Sequence, residues 1–100
     1  MTVRHIVTWK LSGETVHERD AQAAEMAAAL EALNGRVPGL RSLTVHRNQL
    51  NHESNWDVTL VSDHDDEAAF AAYAVHPEHL AAAVVVKKYA VQRACVDFSL

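Results

Sequence analysis

Hydrophobic and polar positions along the chain change period several times, and each change predicts an element. Val3, His5, Val7, Trp9 and Leu11 alternate with Arg4, Ile6, Thr8 and Lys10. Period two with a β-rich composition predicts a first strand there, with His5 on the same face as Val7 and Trp9. Ala23, Met26, Ala27, Leu30 and Leu33 then recur at helical spacing, which predicts a long helix ending near Asn34 before Gly35. Thr15 and Glu18 stand at capping-box spacing ahead of it. After the Val37-Pro38-Gly39 turn, alternation returns over residues 40–48, with Leu43 and Val45 on one face. A polar stretch, residues 49–55, reads as a hairpin connection to a third strand over residues 56–61. In that strand Trp56, Val58 and Leu60 face one way.

The segment Ser62-Asp63-His64-Asp65-Asp66-Glu67 resembles a hard-cation site in composition. It lacks the glycine and ordered ligand spacing of a calcium loop, and acidic residues gather at helix starts to complement the helix dipole. It is therefore read as a cap for a second helix over residues 68–75. His76 precedes Pro77, and a residue before proline leaves helical geometry. Pro77 in turn suits the first position of a new helix, which is expected over residues 78–88. Its Val84-Val85-Val86 run is a poor helix former, whereas Lys87 and Lys88 suit a helix end. Residues 89–100 close the chain as a fourth strand, with Ala94, Val96 and Phe98 opposite Cys95 and Asp97.

The order β-α-β-β-α-β, with its second helix broken at Pro77, is the split βαβ, ferredoxin-like arrangement. This is an α+β fold with a four-stranded antiparallel sheet and helices on one face. One hundred residues make a single domain, residues 1–100. The uncovered sheet face and the small core both favour a homodimer. A net charge of -4 gives no reason to expect nucleic acid or an anionic membrane as partner. No apolar run approaches bilayer length, and one cysteine fits a reducing compartment, so a cytoplasmic location is expected.

Several stretches together resemble the Dabb family, the stress-responsive dimeric A/B barrel domain. They are Val3-Arg4-His5-Ile6-Val7, Val37-Pro38-Gly39, Trp56-Asp57, Val96-Asp97 and Tyr73-Ala74-Val75-His76-Pro77-Glu78-His79. The last is the most specific. The resemblance implies a ferredoxin-like dimer whose two sheets form a barrel. It also implies a cavity between sheet and helices, which in a plant branch of the family cyclises polyketides without a cofactor. By position, Tyr73, His79 and His5 would line that cavity; the branch also has a histidine in strand three, where this chain has Val58.

On this reading His79 is the candidate base, because an imidazole titrates near neutral pH, and Tyr73 the candidate hydrogen-bond donor to an oxyanion. His5 joins them as the third candidate catalytic residue. Val7, Trp9 and Val58 would supply apolar walls. His76 reads most simply as a helix-end residue and is counted with them among the ligand-binding candidates. No metal is expected, since Pro77 breaks the helix that would align His76 with His79 and no third ligand is evident. No cofactor is expected either. Cys95 reads as structural, and His17, His46, His52 and His64 as solvated surface. Three functions remain open: a dimer binding a small apolar or phenolic ligand, a cofactor-independent cyclase-like or isomerase-like enzyme, and a non-catalytic stress or structural protein.

Overall fold

A computed structural model describes all of residues 1–100. The chain forms β1 (Val3–Leu11), α1 (Val16–Glu31), β2 (Leu40–Arg47), β3 (Val58–His64), α2 (Glu67–Val75), α3 (Pro77–Tyr89) and β4 (Ala90–Ser99). The four strands make one sheet in the order β2-β3-β1-β4, with every neighbouring pair antiparallel. This is the ferredoxin-like arrangement expected from the element order. No single helix is long and apolar enough to cross a membrane.

Local chemistry sets the helix ends. The Thr15 hydroxyl accepts the Glu18 N–H at 3.1 Å, and the Glu18 carboxylate reaches back to the Glu14 N–H at 2.8 Å. α1 stops at Glu31, short of the expected Asn34, and Gly35 then takes a left-handed φ of 78°. Gly39 also has positive φ, and a Cβ there would lie 2.6 Å from the Ala69 Cβ, so glycine lets the turn close against α2. The acidic segment divides between two elements. Asp66 caps α2 by accepting the Ala69 N–H, whereas Ser62, Asp63 and His64 belong to β3.

At the proline corner His76 is extended, and its Nδ1 accepts the Glu78 N–H at 3.1 Å, so one residue ends α2 and starts α3. The two helices bend by 63° there. α3 runs through Val84-Val85-Val86 to Tyr89 despite the weak propensity of that run, because Ala82 and Val86 are buried against the core.

The core lies between the sheet and the helices. β1 presents Val3, His5, Val7, Trp9 and Leu11 to it, and β3 presents Val58, Leu60, Ser62 and His64. α1 adds Ala23, Met26 and Leu30. Asp57 ties one end of this layer together, accepting the Leu11 N–H at 2.7 Å and the Arg19 Nε–H at 3.0 Å. Strand pairing places Ile6 beside Val61 and Val96, and Arg4 beside Asp63 and Phe98, on the opposite face of the sheet. No helix covers that face, and Val96 and Phe98 are 64% and 41% exposed.

Two sequence readings are corrected. His64 is not solvated surface: it is fully buried. β3 pairs with β1 as far as Val3 and with β2 as far as Leu40, so its alternation carries Ser62 and His64 inward after Leu60. Trp56 precedes β3 and is not on the cavity face. It sits half-buried beside Asn48 and Asn55 in a polar groove under the β2–β3 connection.

Candidate functional site

A cavity of about 370 Å³ opens between the sheet and the helices. β1 supplies His5, Val7 and Trp9, and β3 supplies Leu60. Tyr73 enters from α2, and His79, Ala83, Val86 and Lys87 from α3. Val91, Gln92 and Arg93 of β4 complete one side. The arrangement follows from two local devices. Period two puts His5, Val7 and Trp9 in one row, and the Pro77 corner turns α3 so that His79 meets Tyr73, ring centroids 4.4 Å apart.

Of the residues singled out from the sequence, His5, Val7, Trp9, Tyr73 and His79 therefore line one cavity. Val58 and His76 lie outside it. Val58 is buried opposite Trp9 in the sheet and borders the polar groove instead, while the His76 ring is occupied as the α3 cap.

The His79 Nδ1 lies 3.1 Å from the Ala74 carbonyl, which can only accept, so Nδ1 carries the hydrogen and Nε2 keeps its lone pair. Burial holds this imidazole below its ordinary pKa, helped by the charges of His5, Arg93 and His76; only the Ala74 bond opposes. Tyr73 is buried, which pushes its phenol up to about 12 and keeps the hydroxyl protonated as a donor.

His5 is anchored differently. Its Nδ1 lies 2.5 Å from Asp97 Oδ1, an arrangement that again directs Nε2 away from its partner. Its ring packs 4.9 Å from that of Phe70. Phe70 in turn packs against His64, and His64 against Tyr73, with centroids 4.9 Å and 4.7 Å apart. Three imidazoles and two aromatic rings thus form a continuous cluster, in which His5, Tyr73 and His79 line the cavity and Phe70 and His64 do not.

Asp97, Phe70 and His64 were not read as site-related from the sequence. The signal for His64 was the alternation of Val58 and Leu60, which continues two steps further. Asp97 needed the register, because residues 92 positions apart meet only when β4 closes on β1. Cys95 sits between Arg93 and Asp97 on the same face, opposite Val7, and partial burial pushes its thiol pKa up, so it is a poor nucleophile. No three His, Cys, Asp or Glu side chains stand close enough to hold a metal ion.

His64 makes stability depend on pH. Its Nε2 shares a hydrogen bond with Ser62 Oγ at 2.9 Å, and its buried Nδ1 has no partner. Burial lowers its pKa, as does the charge of His5, against the opposing pull of Asp63, Asp97 and Asp65. Below the unfolded value of about 6.5 the unfolded chain therefore binds more protons, and stability falls as pH falls. His64 alone is expected to remove up to about 1.4 kcal/mol by pH 5.5, with His79 adding in the same direction. Asp63 and Glu25, held low by Arg4 and by Tyr89 and Lys88, act in that direction only below about pH 4. Urea unfolding at pH 7.5 and 5.5 checks this, and His64→Phe should flatten the difference. An unchanged slope in that variant would exclude His64 as its source.

A family profile described as the stress responsive A/B barrel domain matches residues 3–100. The chain belongs to the stress-responsive A/B barrel family. Solved structures share its ferredoxin-like fold. A dimeric ferredoxin-like protein of unknown function from Bacteroides fragilis is 33% identical, covering 99% of this chain and 96% of its own, with a TM-score of 0.87. A second dimeric ferredoxin-like protein of unknown function, from Thermobifida fusca, is 28% identical over 100% and 92% of the two chains, TM-score 0.84. The cofactor-independent oxygenase SnoaB of Streptomyces nogalater, 18% identical over 99% and 92% with a TM-score of 0.70, shares the fold alone. Among curated proteins none matches the sequence significantly.

Proposed function

We propose that this protein is a homodimer that binds a small, largely apolar aromatic molecule in the cavity between sheet and helices. The observation that carries the reading is the cavity itself. Its walls are mainly Val7, Trp9, Leu60, Ala83 and Val86, and three polar groups, on His5, Tyr73 and His79, converge on it. A volume of about 370 Å³ lies within the range of small-molecule sites. A solidly packed structural protein would have no use for an unfilled space beside its polar corner. The uncovered sheet face and the dimeric relatives from Bacteroides fragilis and Thermobifida fusca support the dimer.

A second reading, proton transfer without a cofactor, is favoured by the anchoring of His79. An imidazole kept neutral, with Nδ1 tied back and Nε2 basic, suits removal of a proton from carbon next to a carbonyl. The protonated Tyr73 hydroxyl would stabilise the resulting enolate oxygen, as aldol-type cyclisation or isomerisation requires.

Calorimetric titration with 2-naphthol tests the pocket. Wild type should bind and gain thermal stability, and Ala83→Trp, which fills the space, should lose both effects while remaining folded. Absence of binding to wild type, or equal binding by Ala83→Trp, would sink the reading and leave a structural dimer. Under the second reading His79→Gln should keep binding but lose any turnover found in wild type.

A further inference from the structure

The distribution of charge around the cavity says what its ligand carries. Its wall contains no carboxylate but two cations, Lys87 and Arg93, in a chain whose net charge is -4. Elsewhere arginine and lysine are largely engaged: Arg4 with Asp63, Arg19 with Asp57, Arg41 with Asp65, Arg47 with Asp20 and Lys88 with Glu25. Neither Lys87 nor Arg93 takes part in an ion pair, and both are exposed.

Their placement is fixed by the fold. Arg93 pairs with Trp9 across β1 and β4, so its side chain leaves the sheet on the face that lines the cavity. Lys87 follows Ala83 by one helical turn on α3, on the stripe that borders the space. A lysine near a helix end also complements the dipole, but Lys88 already stands there, and no such account applies to Arg93 on a strand. Long cationic side chains lay their stems on apolar surface and keep their heads in water, so the two heads sit at the rim above apolar walls. The Arg93 charge reaches the interior, where it adds to burial in holding His79 neutral.

Resting on the pocket reading above, we infer that the ligand is an aromatic or acyl carboxylate, its anionic end held at the rim by Lys87 and Arg93 and its apolar body running past Trp9 and Leu60 to Tyr73. This orientation brings the apolar end of such a molecule beside His79, whose ring centroid lies 4.4 Å from that of Tyr73. It also accounts for the absence of acidic residues from the wall, since a carboxylate there would repel the ligand.

The test compares 2-naphthoate with 2-naphthamide, which share shape and differ in charge. Wild type should bind the acid about tenfold more tightly at low salt, and the preference should narrow as salt screens the rim. The double variant Lys87→Gln with Arg93→Gln should bind both within about twofold of each other. Equal binding of acid and amide by wild type would overturn the inference while leaving the pocket intact. A preference that survives the double substitution would overturn it as well. If neither compound nor 2-naphthol binds, the pocket reading falls and this inference with it.

Discussion

Wild type is expected to run as a dimer in solution, and Val96→Asp as a folded monomer. Val96 lies on the edge strand β4, on the uncovered face, beside Ile6, with Val61 on the other side of β1 and Phe98 two residues along β4. Val96 and Phe98 are more than two-fifths exposed in the isolated chain, at 64% and 41%, so little folding energy depends on them. In a two-fold dimer the same patch meets itself, and each substitution places two carboxylates in one apolar interface. An unpaired charge removed from water costs several kcal/mol, so the dissociation constant should rise at least about a hundredfold. Light scattering at micromolar concentration reads the mass, and circular dichroism confirms that the fold persists. A monomeric wild type, or a variant as dimeric as wild type, would show that this face serves some other purpose.

Met26→Ala should have the largest effect on folding itself. Met26 is wholly buried on α1, in the stripe with Ala23 and Leu30 that faces the sheet. Truncation removes buried methylene and sulfur and leaves a hole that rigid strands close only in part, which costs about 3 kcal/mol. Small domains have total stabilities of about 5 to 15 kcal/mol, so urea unfolding should shift clearly. Leu80→Ala is the matched control: Leu80 is 52% exposed on α3, and its loss should change stability by less than about 0.5 kcal/mol. A Met26 variant no weaker than this control would mean that α1 does not hold the core.

β1 was the most legible element because it is one of the two inner strands, and alternation is sharpest where one face is wholly covered. Its row of His5, Val7 and Trp9 and the corner at Pro77 were readable from local pattern, whereas the expectation that His5, Tyr73 and His79 line a cavity came from the family resemblance. The corner was readable because proline and its predecessor restrict the backbone regardless of context. What escaped the sequence was decided by register. The end of β3 reads as a polar cap, since Ser62, Asp63 and His64 look hydrophilic; only pairing to both neighbours shows that they are strand. The Asp97 partner of His5 and the rim position of Arg93 likewise depend on how β4 lies against β1. Val84-Val85-Val86 was read as helix against its own weak preference, and packing of Val86 on the core holds it there. Val58 alternates correctly with Leu60, yet the cavity ends before reaching it, and His76 is consumed by the corner that it was read to mark.

The position of β1 in the sheet also governs how the chain folds. The β2–β3 hairpin is local, but β1 must wait for β3 some fifty residues on and for β4 at the far end, where Val3 pairs with Ser99. Such distant pairings slow folding, because the loop must close before the contacts can repay its entropy. Until β4 docks, this inner strand has an unpaired edge flanked by Ile6 and Val7, open to pairing with another chain. Refolding should therefore grow less efficient with protein concentration even though the native sheet buries that edge completely, and the vulnerable interval is set by the last strand to arrive.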